Sequence, residues 1–352
     1  MKLLGLVLVA GCSSPAHGVA DAARGIEDAT VDAAPDAAPD ARPDAPPDAA
    51  VSTSPRCTTT PTILLDTSPR VIGNMALAGD TLYVGAYQVN NSTVSDNALI
   101  AIDLTTGVAT APVAQAAQVQ LWSAFGNVYM SEYRDDGTIW QLHPGAAPVA
   151  LVEHLATPTV VTADSDYVYW ASAANIVQRR LITGGPIQTV MACNEPSRLV
   201  IDDTDIYCAE GFQGHVLRAL KDGTSLADTI TTMTTDYPIV SMIKDGAALY
   251  YANLDPMPDL MQINPLTSSA SVFFKSTAPG RYTGLAATSD YFYLSNPFAG
   301  GLQRIQRATH AVETIVTDIG IYYDPVLWNK HVYYETQNPQ ASGERYVMQC
   351  VD

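Results

Sequence analysis

Short apolar runs separated by polar turns recur along residues 57–352, without the spacing of an amphipathic helix. A typical unit has the run Leu199-Val200-Ile201, the turn Asp203-Thr204-Asp205, and a second run around Tyr207. β-branched and aromatic residues fill the runs, whereas Gly, Asp, Asn and Pro fill the gaps. This pattern predicts an all-β domain of short antiparallel strands.

A tyrosine in the second run of each unit marks an internal repeat. The markers are Tyr83, Tyr129, Tyr169, Tyr207, Tyr250, Tyr293 and Tyr333. Successive markers lie 38 to 46 residues apart, close to the period of about 40–45 residues for four-stranded propeller blades. We predict a seven-bladed β-propeller of four-stranded blades, with the tyrosines packed between blades.

The last repeat predicts how the ring closes. Residues Tyr346 to Gln349 supply a third strand for blade seven, and no fourth run follows them. The segment Thr60 to Asp66 precedes blade one and reads like the fourth strands of the other repeats. An open ring would leave sheet edges exposed. We therefore predict that this N-terminal strand joins the last blade and closes the propeller.

The cysteines fit the same arrangement. Apart from Cys12 there are four, which allow three pairings in an oxidising compartment. Cys57 precedes the closing strand and Cys350 ends the third strand of blade seven, so a bond between them would replace the turn found in other blades. That leaves Cys193 and Cys208 as the second predicted disulfide, which would join one blade to the next.

The N-terminus indicates export and lipidation. Residues 1–11 form a signal peptide, because the apolar run Leu3 to Val9 is too short to span a bilayer. The string Val9-Ala10-Gly11-Cys12 resembles the lipobox of bacterial lipoproteins, in which the cysteine is acylated. An ordinary signal peptide with an incidental Cys12 is the alternative. Ser13 resembles the residue that directs lipoproteins to the outer membrane, so we expect a lipid-anchored protein of the cell envelope.

Residues 12–56 comprise the acylated cysteine and a linker rich in Asp, Ala and Pro. Asp32 to Ala50 is a period-four tract with almost no large apolar side chain. Proline blocks helix and central strand, and the repeated carboxylates repel each other, which predicts an extended, disordered spacer. A partner-binding acidic tract is the alternative. The folded domain is therefore expected at residues 57–352.

Charge and motifs narrow the classes of function. The chain holds 36 Asp and Glu against 18 Lys and Arg, a net charge of −18, which argues against nucleic acid as a partner. The six histidines show no metal-binding spacing, and no nucleophile elbow or catalytic residue stands out. The clusters at Asp135-Asp136 and Asp202 to Asp205 predict turns, with a loop Ca²⁺ site as the alternative. We expect no cofactor and no other metal.

Two stretches carry a resemblance to a known repeat. Val168 to Gly185 and Leu249 to Asn264 resemble YWTD-type propeller repeats, although only Tyr169-Trp170 keeps half of that string. Such propellers usually have six blades, whereas seven markers occur in this chain. The resemblance implies the propeller fold and no particular ligand.

Propellers usually bind ligands on the face whose loops enter the first strand and leave the second strand of each blade. Tyr87 and the long loop Gln88 to Asn97 belong to that face. The candidate ligand residues there are Glu132, Tyr133, Glu195, Arg198, Glu210, Asp236, Tyr237, Asn253, Arg281, Tyr282, Tyr323 and Asp324. Aromatic, carboxylate and arginine side chains in this mixture suit contacts to a glycan or a peptide.

Three functions remain open from the sequence. A membrane-anchored, non-enzymatic binding or scaffold module for a protein or glycan is favoured by the anchor, the spacer and the rigid platform. The alternative is a glycan lyase or hydrolase whose residues converge at the central pocket. A structural part of an envelope complex is the third, and it predicts a large exposed apolar patch on one face.

Overall fold

The computed structural model describes residues 57, 60–68, 70–90, 93–114, 118–232, 238–256, 259–277, 279–297, 301–317, 323–337 and 345–351. Within these residues the chain forms β-strands and turns with no helix. The strands make seven separate antiparallel sheets of four strands each. This arrangement confirms the predicted seven-bladed propeller. The predicted signal peptide, Cys12 and the linker lie outside the described residues.

Each blade is a simple up-and-down meander, and its first strand is the innermost. Blade one contains β2 (Val71–Ala78), β3 (Thr81–Asn90), β4 (Thr93–Asp103) and β5 (Ala109–Ala114). Blade two contains β6 (Val119–Ala124), β7 (Asn127–Glu132), β8 (Gly137–Leu142) and β9 (Val149–Leu155). Blade three contains β10 (Pro158–Ala163), β11 (Tyr167–Ser172), β12 (Ile176–Leu181) and β13 (Gln188–Ala192).

Blades four to six repeat the order. Blade four contains β14 (Pro196–Ile201), β15 (Asp205–Glu210), β16 (His215–Leu220) and β17 (Asp228–Thr232). Blade five contains β18 (Ile239–Asp245), β19 (Ala248–Asn253), β20 (Asp259–Asn264) and β21 (Ser269–Lys275). Blade six contains β22 (Gly284–Ala287), β23 (Tyr291–Asn296), β24 (Gly301–Gln306) and β25 (Val312–Val316).

Blade seven joins the two ends of the chain. It contains β26 (Val326–Trp328), β27 (His331–Gln337), β28 (Arg345–Val351) and, as its outermost strand, β1 (Thr62–Asp66). The N-terminal strand pairs antiparallel with β28 in the register Thr62 to Gln349 and Asp66 to Tyr346. The predicted ring closure is therefore confirmed.

Both predicted disulfides are present. Cys57 and Cys350 are bonded across 293 residues of sequence, and Cys193 and Cys208 across 15. The first links the start of the described chain to the third strand of blade seven. The second joins the segment after β13 to the second strand of blade four.

The core consists of seven apolar clusters, and each cluster joins two neighbouring blades. Every marker tyrosine is buried and belongs to the cluster shared with the following blade. Tyr333 of blade seven, for instance, packs with Ile72, Leu82 and Val84 of blade one. The repeat therefore encodes the inter-blade contacts, and the tyrosines are packing residues.

Several marker hydroxyls have fixed partners on the face that carries the first-to-second strand turns, hereafter the turn face. Tyr169 donates to Asp164 at 3.0 Å, and Tyr207 donates to Asp202 at 2.8 Å. Asp164 also binds Lys221 of the next blade at 2.9 Å. The turn carboxylates thus join adjacent blades as well as capping their own turns.

Candidate functional site

The loops on the opposite edge of each sheet form the face that the sequence predicts to bind a ligand, hereafter the ligand face. In blade four, Pro196 at the start of the innermost strand pairs with Glu210 at the end of the second strand. In blade five, Ile239 pairs with Asn253 in the same way. The starts of the innermost strands and the ends of the second strands therefore share one face, and the sequence-predicted residues that the structure describes lie there.

Three of these residues are buried supports of their loops. Glu132 accepts a hydrogen bond from Arg134 at 2.9 Å, and Asn253 accepts one from a backbone N–H at 3.3 Å. Glu210 accepts the backbone N–H of Asn194 at 2.9 Å and lies 3.0 Å from a ring nitrogen of His215. These hydrogen bonds hold the loops of the ligand face in place.

The other predicted residues differ in exposure. Tyr133 is 46% exposed, and Glu195 and Arg281 are also exposed. Tyr282 is buried, and burial raises the pKa of its hydroxyl to about 12. Asp236 and Tyr237 lie outside the described residues.

Asp324 connects four blades at the centre of the ring. It lies two residues before the innermost strand of blade seven. One carboxylate oxygen accepts the Ser241 hydroxyl of blade five at 2.6 Å and the backbone N–H of Leu285 of blade six at 2.8 Å. The other oxygen accepts Arg198 of blade four at 2.9 Å. Because the partners come from different blades, the network fixes their relative positions at the entrance of the ring.

A glycine allows Asp324 to reach this place. The carbonyl oxygen of the preceding Tyr323 accepts the Ser295 hydroxyl at 2.7 Å. A Cβ added at Gly284 would lie 2.3 Å from that carbonyl oxygen and 2.7 Å from the backbone nitrogen of Asp324. Only a residue without a side chain permits such a close approach of two backbones.

Arg198 is the cation of this site. Its guanidinium lies 5.0 Å from the ring centre of Trp122 in the innermost strand of blade two, within cation–π range. It donates to Asp324 and to the carbonyl oxygen of Ser197 at 3.1 Å. A guanidinium carries five N–H donors, and the bonds found among the described residues use two of them.

A buried carboxylate and two tyrosines lie beside this pair. Glu335 is 1% exposed, and its charge acts on Tyr323 and Tyr87, which share a hydrogen bond. Burial, followed by the Glu335 charge, raises the pKa of Tyr323 far above its ordinary value. Burial and Glu335 also raise the pKa of Tyr87, against the opposing effect of the Tyr323 hydrogen bond. Both hydroxyls therefore stay protonated at neutral pH.

We call this set of side chains the mouth cluster. It consists of Tyr87, Trp122, Arg198, Ser241, Tyr323, Asp324 and Glu335. The sequence analysis included Arg198, Tyr323 and Asp324 among its candidates and placed Tyr87 on the same face, but it did not select Trp122, Ser241 or Glu335.

Of the mouth-cluster residues that the sequence analysis did not select, Glu335 is the one that the sequence could have revealed. The position two residues after the marker tyrosine is small in six blades: Gly85, Ser131, Ala171, Ala209, Ala252 and Ser295. In blade seven the same position holds Glu335, which makes it the one charged residue in the series. A charged residue at a position that the other blades use for small side chains can therefore be found by comparing the repeats.

The acidic clusters serve local structure. Asp135 accepts the Thr157 hydroxyl at 2.8 Å, and Asp136 lies 2.7 Å from the His154 ring nitrogen. Asp202 accepts the backbone N–H groups of Thr204 and Asp205. In the part of the chain that the structure describes, no group of three or more His, Cys, Asp or Glu is arranged to hold a metal ion.

Large exposed apolar side chains occur in the turns of adjacent blades on the turn face. Leu226 of blade four is 91% exposed, and Leu266 of blade five is 86% exposed. Within the part of the chain that the structure describes, no helix is long and apolar enough to cross a membrane.

Comparison with known proteins supports the fold alone. No protein-family model and no curated protein matches the chain. Among solved structures, "YCF48 bound to D1 peptide" is similar with a TM-score of 0.60 and 10% identity, covering 87% of this chain and 99% of the other. "Oligogalacturonate lyase in complex with manganese" has a TM-score of 0.58 and 11% identity, with coverages of 77% and 86%.

A third similar structure is "Crystal structure of Nidogen/Laminin Complex", with a TM-score of 0.50 and 12% identity, covering 80% of this chain and 98% of the other. At these identities the likeness concerns architecture. A peptide-bound protein, a lyase and a protein complex all share it, so the function has to be argued from this chain's own residues.

Proposed function

We propose that this protein is a lipid-anchored β-propeller of the bacterial cell envelope that binds a protein or glycan partner without chemical conversion. The mouth cluster is the proposed binding site. Cys12 is the proposed acylation site, residues 12–56 the spacer, and the outer membrane the proposed location.

The observation that carries the proposal is the bond between Arg198 and Asp324. It lies at the centre of the ligand face and is held by side chains and backbone from blades four to seven. Groups preorganised by a rigid frame bind a partner without the entropy cost of ordering flexible side chains. The same network therefore gives the face a fixed arrangement of charge.

The entry point of the chain supports the same proposal. Val332, near the start of β27, pairs with Cys350, so the Cys57–Cys350 bond lies on the turn face. Cys57, the residue that follows the proposed spacer in the sequence, is therefore held on the face opposite the proposed binding site.

Capture of a partner from the envelope tests the binding function. The full chain is purified in mild detergent, immobilised, and incubated with solubilised envelope from the same cells. We expect specific proteins or glycans to be retained by the natural chain and lost with Arg198→Met. If neither chain retains anything above an empty matrix, the binding proposal is wrong.

Arg179→Met is the matched control for this experiment. Arg179 also covers an aromatic ring, that of Tyr167 at 4.4 Å, and also bonds a side chain, Gln188 at 2.9 Å. It lies in β12, away from the mouth cluster. This variant should therefore retain the partner, and loss of capture in both variants would point to a general effect of removing a cation.

Lipidation is tested separately. Cells expressing the natural chain should incorporate a labelled fatty acid into the protein, and Cys12→Ser should abolish the label and release the protein from membranes. Density-gradient separation of inner and outer membranes then gives the location. Label retained in Cys12→Ser would contradict the assignment of the acylation site.

Enzymatic action on a glycan is the alternative, favoured by the tyrosine and carboxylate pair of Tyr323 and Glu335 beside Arg198. The full chain is incubated with oligogalacturonate and with envelope glycans, with and without divalent metal. Ultraviolet absorbance would report lyase products, and reducing ends would report hydrolysis. Turnover that is lost in Glu335→Gln would replace the binding proposal with an enzyme.

A further inference from the structure

The geometry points to a peptide carboxylate, in particular a C-terminal one, as the group that Arg198 recognises, with Asp324 occupying its place in the free protein. This inference rests on the proposed binding function and specifies its ligand. In this view Asp324 is an internal competitor, and binding exchanges one carboxylate for another on the same guanidinium.

The bonding of Arg198 leaves room for this exchange. A single nitrogen, Nη2, donates to a single oxygen of Asp324, at 2.9 Å. Arginine and carboxylate form their strongest pair when two parallel N–H donors meet both oxygens. Because the second Asp324 oxygen is taken by Ser241 and Leu285, the internal pair cannot adopt that form in its present position. A ligand carboxylate is not held by these bonds, so it can present both of its oxygens to the guanidinium.

Access to Arg198 favours a chain end. The Arg198 side chain is 18% exposed and that of Asp324 is 36% exposed, so the pair is recessed but open to solvent. A terminal carboxylate reaches a recessed cation without burying backbone N–H and C=O groups on both sides, which would cost free energy if left unpaired.

Neighbouring groups suit a carboxylate with a peptide behind it. The Arg198 charge acts on the hydroxyl of Tyr323, which shares a hydrogen bond with Tyr87, so the two hydroxyls form a polar pair next to the guanidinium. The indole N–H of Trp122, in the ring that Arg198 covers, is buried and has no hydrogen-bond partner within the described residues. Peptide amides supply the acceptors and donors that such groups require.

Two observations favour a peptide over an acidic glycan. The guanidinium covers the Trp122 ring, so that aromatic face is not open to stack on a sugar. The chain also carries a net charge of −18, which repels a polymer with one carboxylate on each sugar. A neutral or basic peptide with one terminal carboxylate meets the local cation without that long-range penalty.

A paired peptide array tests the inference. Random heptapeptides are synthesised on one support with a free C-terminal carboxylate and on another as the C-terminal amide. Both are probed with the labelled full chain, and dissociation constants are then measured for the retained peptides. We expect free-acid peptides to bind at least about 30-fold more tightly than their amides, the loss typical of removing one partner of a charge pair.

Two variants distinguish a direct contact from a structural role. Arg198→Met should remove the preference for the acid form, whereas Arg179→Met should keep it. Asp324→Asn removes the internal competitor, so it should tighten binding of the free-acid peptides by about tenfold. If Asp324 acted only as a structural support, the same substitution would weaken binding or leave it unchanged, and that result overturns the inference.

The remaining outcomes separate this inference from the proposed function. Equal binding of acid and amide peptides, together with Arg198-dependent capture from the envelope, keeps the binding function and rejects the carboxylate ligand. Displacement of captured material by oligogalacturonate at low concentration, without retained peptides, assigns the site to a glycan and also rejects it. Thermal unfolding of each variant confirms that the chain tested is folded.

Discussion

The guanidinium of Arg198 and the carboxylate of Asp324 lie 2.9 Å apart, although 126 residues separate them in the sequence. Arg198 belongs to the innermost strand of blade four, and Asp324 precedes that of blade seven. The contact therefore spans the ring. The proposed binding site and the stability of the ring therefore depend on the same side chains.

Replacing Asp324 with alanine should destabilise the propeller by about 2 kcal/mol, because Ser241, Leu285 N–H and Arg198 lose their acceptor together. Asp324→Asn keeps one oxygen for Ser241 and Leu285 and should cost about half as much. Urea unfolding followed by intrinsic fluorescence measures both. If Asp324→Ala were as stable as the natural chain, the ring would not depend on this network.

Replacing Gly284 with alanine should displace the Tyr323–Asp324 segment. The added Cβ would lie 2.3 Å from the Tyr323 carbonyl oxygen, and overpacking of this kind costs about 1–3 kcal/mol. Gly85→Ala is the control, since its Cβ would meet a Val119 methyl group at 3.2 Å, where a side chain can adjust. In thermal unfolding, Gly284→Ala should have a lower midpoint temperature than Gly85→Ala. The reverse order would contradict the close approach of Gly284 to the Tyr323–Asp324 backbone.

The marker tyrosines should respond unequally to loss of the hydroxyl. Tyr207→Phe removes the 2.8 Å bond to the partly buried Asp202 and should cost about 1–2 kcal/mol. Tyr129 has Ala124 at the position that Asp202 occupies in blade four, so Tyr129→Phe should cost less. Chemical denaturation measures the free energy of unfolding of both variants, each of which lacks one tyrosine hydroxyl. Equal losses would mean that the carboxylate bond contributes nothing specific.

Stability should fall in acid partly through Asp164 and Asp202. Burial alone would raise the pKa of each carboxyl group, but hydrogen bonds and a lysine hold both pKa values below normal. The donors to Asp164 are Lys221, the Tyr169 hydroxyl and two backbone N–H groups. The donors to Asp202 are the Tyr207 hydroxyl and the backbone N–H groups of Thr204 and Asp205, with Lys244 nearby.

A pKa lowered by folding gives stability that is present above the unfolded value of about 3.9 and lost as pH falls through the folded value. We expect the free energy of unfolding to decline from about pH 5 to about pH 3. The double variant Asp164→Asn, Asp202→Asn should show a smaller decline over that interval. A decline as steep as that of the natural chain would assign acid sensitivity to other groups.

The two disulfides should differ in their effect on stability. The Cys57–Cys350 bond closes a loop of 293 residues and Cys193–Cys208 one of 15. The chain-entropy relation gives roughly 6 kcal/mol for the long loop and about 3 kcal/mol for the short one. Paired Cys→Ser variants, unfolded in denaturant, measure both. A smaller loss for the long loop would show that β1 closes the ring without its bond.

The sequence by itself determined the architecture. Alternating apolar runs fix which segments are strands, and the repeated Tyr position fixes how each blade packs on the next. Because every blade repeats the same order of strands and turns, the incomplete last repeat was enough to place β1 beside β28 and to pair Cys57 with Cys350. These features depend on short-range pattern, and the structure agrees with them.

Only the tertiary structure decided which polar residues meet. The sequence offered Arg198, Tyr323 and Asp324 among a dozen candidates, without indicating that the first and last are in contact. It also missed Ser241 and Trp122, which look like ordinary strand residues. Each blade contributes a residue or two to the centre, and residues far apart in sequence come together only when the ring closes, so their contacts follow from closure rather than from any local pattern.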